Sequence, residues 1–277
     1  MALDSMKEIF ERSARENIPF WEIVLQYDME ERQVSRQASM AKMLSTWQAI
    51  QDAADSYTGT QRSVSGLVGG DGLKMRLYAR RGESIGGEFM DEVIVQAISM
   101  AESNACMRRI VAAPTAGSCG VVPAVLLPLV RAGQADEDAV CDALYVAAGF
   151  GQVIAARATL AGAEGGCQAE VGSACSMAAA AMCELMEFPI EQVEYAAEIA
   201  MEHHLGLTCD PICGLVQIPC IERNAVAAKR AIDSANLAHM LVGTRTISFD
   251  MVVRTMYETG ISMNRAFRET SEGGLAK

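Results

Sequence analysis

The sequence predicts an all-α protein, and three observations carry that prediction. Apolar residues recur at helical spacing, as in Met40, Met43, Leu44, Trp47, Ile50 and Ala54. Gly133, Gly162, Gly206, Gly243 and Gly260 stand where helices should end, and acidic residues such as Asp136 and Glu137 stand where first turns favour negative charge. The β-branched runs are short, and no hairpin dipeptide separates two alternating segments.

Taken in order, residues 1–55 read as an N-terminal helical arm and 56–277 as a helical main body, expected to form one continuous unit with the arm. The stretch "SVSGLVGGDGLKM" (63–75) is too rich in glycine and serine for regular structure and is expected to be a loop leading into a new element. Helices are expected over 87–103, 136–161, 170–186, 190–205, 221–242 and 247–259. The segment "EVGSACSMAAAAMCEL" (170–185) is built from small residues, which let neighbouring backbones approach closely, so this helix should be central. The strongest apolar run, "VVPAVLLPLV" (121–130), carries two prolines and stops at Arg131, short of membrane-spanning length.

The 277 residues provide ample material for a core, and the formal charge of −12 leaves no basic stripe for a phosphate backbone. Nucleic acid and membrane are therefore not expected partners. The amino terminus, "MALDSMKEIFERSAREN", is charged throughout and lacks a signal-peptide apolar segment, which points to the cytoplasm. Nine cysteines, an odd number in a chain of that kind, read as reduced thiols, metal ligands or core residues.

Three cysteines sit in loops rather than helices. Cys167 follows Gly165 and Gly166 in "GAEGGCQAE" (162–170), where backbone can come close to a bulky or anionic group. Cys209 and Cys220 lie in "GLTCDPICGLVQIPCIERN" (206–224), beside Pro211 and Pro219, which hold the chain out of helix. Zinc sites usually show short paired spacings, and Cys209 with Cys213 forms only one such pair. Iron-sulfur clusters tolerate irregular spacing, often next to proline, whereas the plain alternative is a set of buried cysteines.

Three long motifs, "APTAGSCG" (113–120), "GAEGGCQAEVGSAC" (162–175) and "HHLGLTCDP" with "GLVQIPCIERNA" (203–225), together resemble the iron-sulfur L-serine dehydratases, specifically the α chain of the two-chain type. The resemblance spans nearly the whole sequence. It implies a helical catalytic domain with a loop-bound 4Fe-4S cluster, held by Cys167, Cys209 and Cys220. Three ligands for four irons leave one iron open as a Lewis acid for the carboxylate and hydroxyl of L-serine. Elimination of water, then tautomerisation and hydrolysis, would give pyruvate and ammonia. Single-chain relatives place a C-terminal cysteine on the open iron, and the tail "ETSEGGLAK" contains none. Cys213, Cys106, Cys119, Cys141, Cys175 and Cys183 are then expected to be small apolar fillers, with Cys119 closest to a substrate loop.

Two further stretches acquire roles by the same resemblance. In "SGLVGGDGLK" (65–74), the backbone around Ser65, Gly69, Gly70 and Asp71 could receive a substrate carboxylate, and Lys74 offers a positive charge for catalysis. A tight turn before a surface lysine is the plain alternative, and a pyridoxal-phosphate Schiff base on Lys74 is another, though it would leave the cysteine loops without a role. The family reads alanine where Gly72 stands, a change expected only to loosen the backbone. In "NACMRRIVAAPTAGSCG" (104–120), Asn104, Thr115, Gly117 and Ser118 suit a zwitterionic amino acid, with Ser118 placed among the catalytic residues. The family usually has glycine where Arg108 stands, which adds bulk and charge near this loop.

Arg223 and Asn224, just after Cys220, are expected to meet cluster sulfides or the substrate carboxylate, although helix-start residues of these types are ordinary, as is Glu170. His203 and His204 close a helix, where histidine suits the dipole whatever its function. No histidine loop of the family's GHxTD type is present, so the group that takes the Cα proton is either Lys74, another residue, or one supplied by a β subunit. The seventeen methionines suit adaptable packing, some of it at such an interface. Two rivals remain: an L-cysteine desulfidase of related architecture, and a non-catalytic iron-sulfur subunit that senses oxygen or passes electrons.

Overall fold

A computed structural model describes residues 3–241 and 246–277. Twelve α-helices account for most of it: α1 Met6–Glu16, α2 Phe20–Arg32, α3 Arg36–Asp55, α4 Asp71–Arg80, α5 Gly87–Ala105, α6 Val121–Arg131, α7 Glu137–Arg157, α8 Gly162–Gly165, α9 Ser173–Leu185, α10 Ile190–Glu202, α11 Cys220–Met240 and α12 Phe249–Ser262. No strand occurs among the described residues, so the fold is all-α as the periodicity predicts.

The caps explain several helix starts. Ser35, Asp136 and Ser248 each accept a backbone N–H three residues on, from Ala38, Ala139 and Met251, at 3.2, 2.9 and 3.2 Å. At α1 the duty passes to a distant residue. The Asp250 carboxylate on α12 accepts from the Ser5 hydroxyl at 2.8 Å and the Met6 amide at 3.0 Å, so the arm is tied to the end of the chain.

The centre is α9. Every residue from Ser173 to Cys183 is buried, and α6, α7, α10 and α11 all pack around it. This close approach is why alanine, serine and cysteine dominate the segment. On α7, a side chain at Gly149 would collide with Val24 and Phe20 of α2, and one at Gly151 would press on Met177 of α9. Phe150, between them, is fully buried, stacked on Phe20 at 5.4 Å and edge-on to Phe249 at 4.9 Å. By length and composition α7 could cross a membrane, but here it is a core helix packed against α2, α3, α9 and α12.

Some expectations need correction. Asp71 opens α4, so the glycine-rich stretch ends five residues earlier than expected and Lys74 lies on a helix. "VVPAVLLPLV" forms α6: Pro123 falls in the first turn, where amides have no helical partner, and only Pro128 interrupts the interior ladder. The helix expected over 136–161 stops at Arg157, and Gly162 starts α8 instead of capping α7. Gly260 lies within α12, where a Cβ would come within 2.9 Å of Gly165 Cα; glycine there serves close packing, not termination. Gly133 and Gly206 do follow their helices with φ of +70° and +82°, while Gly243 lies outside the described residues.

Two predictions follow from this packing. Phe150→Ala should cost about 3–5 kcal/mol, read from the denaturant midpoint, because a large cavity opens between three helices. Glu184 on α9 is lifted to about 7, first by burial and then by Asp142. Its folded value exceeds the ordinary 4.5, so folding binds the proton and stability declines as pH rises from 4.5 through 7. Glu184→Gln should flatten that part of the melting-temperature profile.

Candidate active site

Cys167 closes the turn after α8. Gly166 sits at φ +77°, and a Cβ there would meet the Leu207 carbonyl at 2.8 Å, so only glycine lets the two loops touch. Gln168 stitches them together. Its backbone N–H donates to the Leu207 carbonyl at 3.2 Å, its side-chain oxygen accepts from the Gly206 amide at 2.9 Å, and its side-chain nitrogen donates to the Met256 carbonyl at 2.8 Å. A short π-helical turn, Gln168–Gly172, then carries the chain into α9.

Cys209 is held by the C-terminal segment: its N–H donates to Phe267 at 2.8 Å, and its carbonyl accepts from Glu269 at 2.6 Å. The next residue, Asp210, accepts from the Leu275 amide at 2.9 Å and from Arg223 at 2.7 Å. Cys220 is the first residue of α11.

The thiols of Cys167 and Cys209 face each other, and Cys220 lies close enough for Cys167 to act on its charge. Cys167 is the one drawn toward thiolate, by the Cys209 thiol donating to it and by Arg223 alongside, against the effect of burial. Cys209 is pushed up for the same reason, and burial pushes Cys220 up to about 12. Among the described residues no three His, Cys, Asp or Glu side chains converge tightly enough for a single metal ion. A cluster makes a different demand, since its ligand sulfurs sit on different irons. Three thiols from three separate elements, with a guanidinium beside them, fit a soft, anionic cluster of that kind.

Asn224 joins this region to the loop at 113–120. Fully buried, it donates to the carbonyls of Gly117 at 2.7 Å and Cys220 at 2.8 Å and accepts from the Gly120 amide at 2.8 Å. Its amide is thus spent on bracing, not left free for a ligand. Ser118 is likewise buried and bonded within its own turn, to the Thr115 hydroxyl at 3.1 Å. Arg223 donates to the Thr208 carbonyl at 2.8 Å as well as to Asp210. Asn104, in the last turn of α5, is half-buried, with no side-chain hydrogen bond among the described residues.

The glycine-rich loop meets the cysteine loop through Ser65, whose hydroxyl donates to Gln217 at 2.6 Å. The amides of Gly69 and Gly70 have no acceptor among the described residues. Lys74 is largely exposed and ion-paired with Asp71 at 2.6 Å. Gly72 does not loosen the backbone: a Cβ there would lie 2.5 Å from the Ser99 hydroxyl and 2.8 Å from that of Tyr57.

Glu170 gains a place that its ordinary sequence context did not signal. Its carboxylate lies 4.0 Å from Cys209 Sγ, hydrogen-bonds Thr115, and faces both Gly117 and Gly162. Burial raises its pKa, and the Thr115 hydroxyl partly offsets that. A clue was available in its position three residues after Cys167, at the foot of an otherwise apolar helix. His204 is buried behind the same turn, its Cβ against Gly172 and its Nδ1 2.7 Å from the Ala200 carbonyl, and burial lowers it to about 4. His203 is exposed. Cys119, Cys141, Cys175 and Cys183 are buried as expected, but Cys213 is exposed in a turn at φ +55°, so it fills no core space.

Comparison with known proteins shows the family. The family described as "Serine dehydratase alpha chain" matches residues 15–276. The chain belongs to that family. It is 37% identical over 273 residues to "Probable L-serine dehydratase, alpha chain" of Bacillus subtilis, covering 98% of this chain and 90% of the relative. It is 41% identical over 277 residues to "L-serine dehydratase, alpha chain" of Peptoniphilus asaccharolyticus, covering 99% and 94%. "L-serine dehydratase 1" of Escherichia coli is 50% identical over 188 residues, but those cover 68% of this chain and only 41% of that longer protein.

Asn224→Ala would leave the Gly120 amide and the Gly117 carbonyl without their partner. It should cost about 1–3 kcal/mol, lowering the melting temperature by several degrees. An unchanged melting temperature would show that the brace is dispensable.

Proposed function

We propose that this chain deaminates L-serine to pyruvate and ammonia in the cytoplasm, with a 4Fe-4S cluster on Cys167, Cys209 and Cys220 and a β subunit completing the site. The observation that carries the reading is the convergence of those three cysteine segments with Arg223 and the Thr115–Gly117 turn, in a chain of this family. When bound, the cluster supplies a Lewis acid that makes the serine hydroxyl a workable leaving group.

The chain's own residues do the rest. The free amides of Gly69 and Gly70, with Ser65 and Asp71 shaping their loop, receive the substrate carboxylate. Asn104 and Thr115 orient the amino group and hydroxyl, Gly117 leaves them room, and Ser118 fixes the Thr115 turn. Arg223 balances the negative charge of the thiolates, and Asn224 keeps Cys220 in register with the Thr115 loop. Lys74 supplies the cationic group on the glycine-loop side, next to the surface that the β subunit closes.

Anaerobic reconstitution with iron and sulfide tests this. The wild-type chain should develop a cluster absorption that shifts on adding L-serine, and Cys209→Ser should lose it. With the β subunit, pyruvate should form from L-serine in preference to L-cysteine. A cluster indifferent to L-serine, or the opposite substrate order, would sink the proposal.

A further inference from the structure

Glu102, near the end of α5, is fully buried. Its carboxylate accepts from the backbone N–H of Asp71 at 2.8 Å and of Gly72 at 3.2 Å, and from the Tyr57 hydroxyl. The Tyr57 oxygen in turn accepts from the Leu73 amide at 3.3 Å. Three successive amides at the start of α4 are therefore taken by a side-chain pair from other parts of the chain. Gly70, the residue before α4, has φ +86°. A helix start normally leaves such amides free for an anion, but here an internal carboxylate already occupies them.

This bears directly on substrate binding. The amides of Gly69 and Gly70, one step before the clamp, have no acceptor among the described residues. The clamp also explains Gly72, since Tyr57 and Ser99 fill the space a side chain would need. Burial and the Glu102 carboxylate raise the Tyr57 hydroxyl well above its ordinary range, so it remains a donor.

We propose that Glu102, with Tyr57, is a positioning residue for the substrate carboxylate: by capping α4 from outside, it presents the Gly69 and Gly70 amides in the orientation that binds L-serine. This rests on the serine dehydratase reading and adds the residues that set substrate affinity without touching substrate.

The test compares wild type with Glu102→Ala, Glu102→Gln and Tyr57→Phe in the holoenzyme, assembled with cluster and β subunit. In Glu102→Ala, loss of a charge-assisted interaction should raise KM for L-serine by about tenfold or more while kcat changes little. Glu102→Gln, which keeps shape and one accepting oxygen, should recover much of that loss, and Tyr57→Phe should give a smaller rise. Cluster absorption should match wild type in all three. Hydrogen exchange at Gly69 and Gly70 should slow with L-serine in wild type and much less in Glu102→Ala. If Glu102→Ala does not fold, Tyr57→Phe decides the question. KM within twofold of wild type in Glu102→Ala, or in Tyr57→Phe where Glu102→Ala does not fold, together with full protection of Gly69 and Gly70 by L-serine in that variant, would overturn the inference. A wild-type holoenzyme without L-serine turnover would overturn the proposed function itself, and this inference with it.

Discussion

The burial of α9 on all sides constrains everything else in the molecule. Four helices can surround one only if the central helix presents almost no side chain, and Ser173 to Cys183 meets that condition with small residues and a few thin ones. Close packing of this sort tolerates little displacement. The turn that leads into α9 carries Cys167, so the most crowded helix in the fold also fixes the first cysteine. Gly151 and Gly172 extend the same economy of volume to the neighbouring helix and to the foot of α9.

From that fixed point the site is assembled by backbone contacts and a few buried side chains. Gln168 ties the Cys167 turn to the Cys209 segment, the C-terminal residues clasp Cys209 and Asp210, and Asn224 links Cys220 to the Thr115 turn. These are mostly side chain to backbone bonds, which define loop geometry where no helix ladder is available. Arg223 offsets negative charge in a chain that is strongly acidic overall. Burying carboxylates and thiols without such partners would be costly.

The glycine-rich loop follows a different logic. Its flexibility is confined at both ends, by Ser65 on Gln217 and by Glu102 on the first turn of α4. Between those ends the loop is bonded to itself, the Ser63 amide donating to the Val68 carbonyl at 3.0 Å and the Gly66 amide to the Ser63 carbonyl at 2.9 Å. The exposed pair of Lys74 and Asp71 contributes little to that attachment, because surface ion pairs are weak.

The sequence by itself determined the helical class, the centrality of the Ala-rich segment and the three cysteine segments, since periodicity, small-residue runs and long contiguous motifs are all local properties. Helix ends were less legible. Gly260 and Gly162 look like terminators but are glycine for close contact, and Pro123 and Pro128 look like breakers in a segment whose burial overrides them. The contacts of Asn224, Glu170 and Glu102 were set by tertiary structure. Each depends on partners far away in the chain, Gly120 for Asn224 and Asp71 for Glu102 among them, and local pattern does not encode which distant amide a buried side chain will meet.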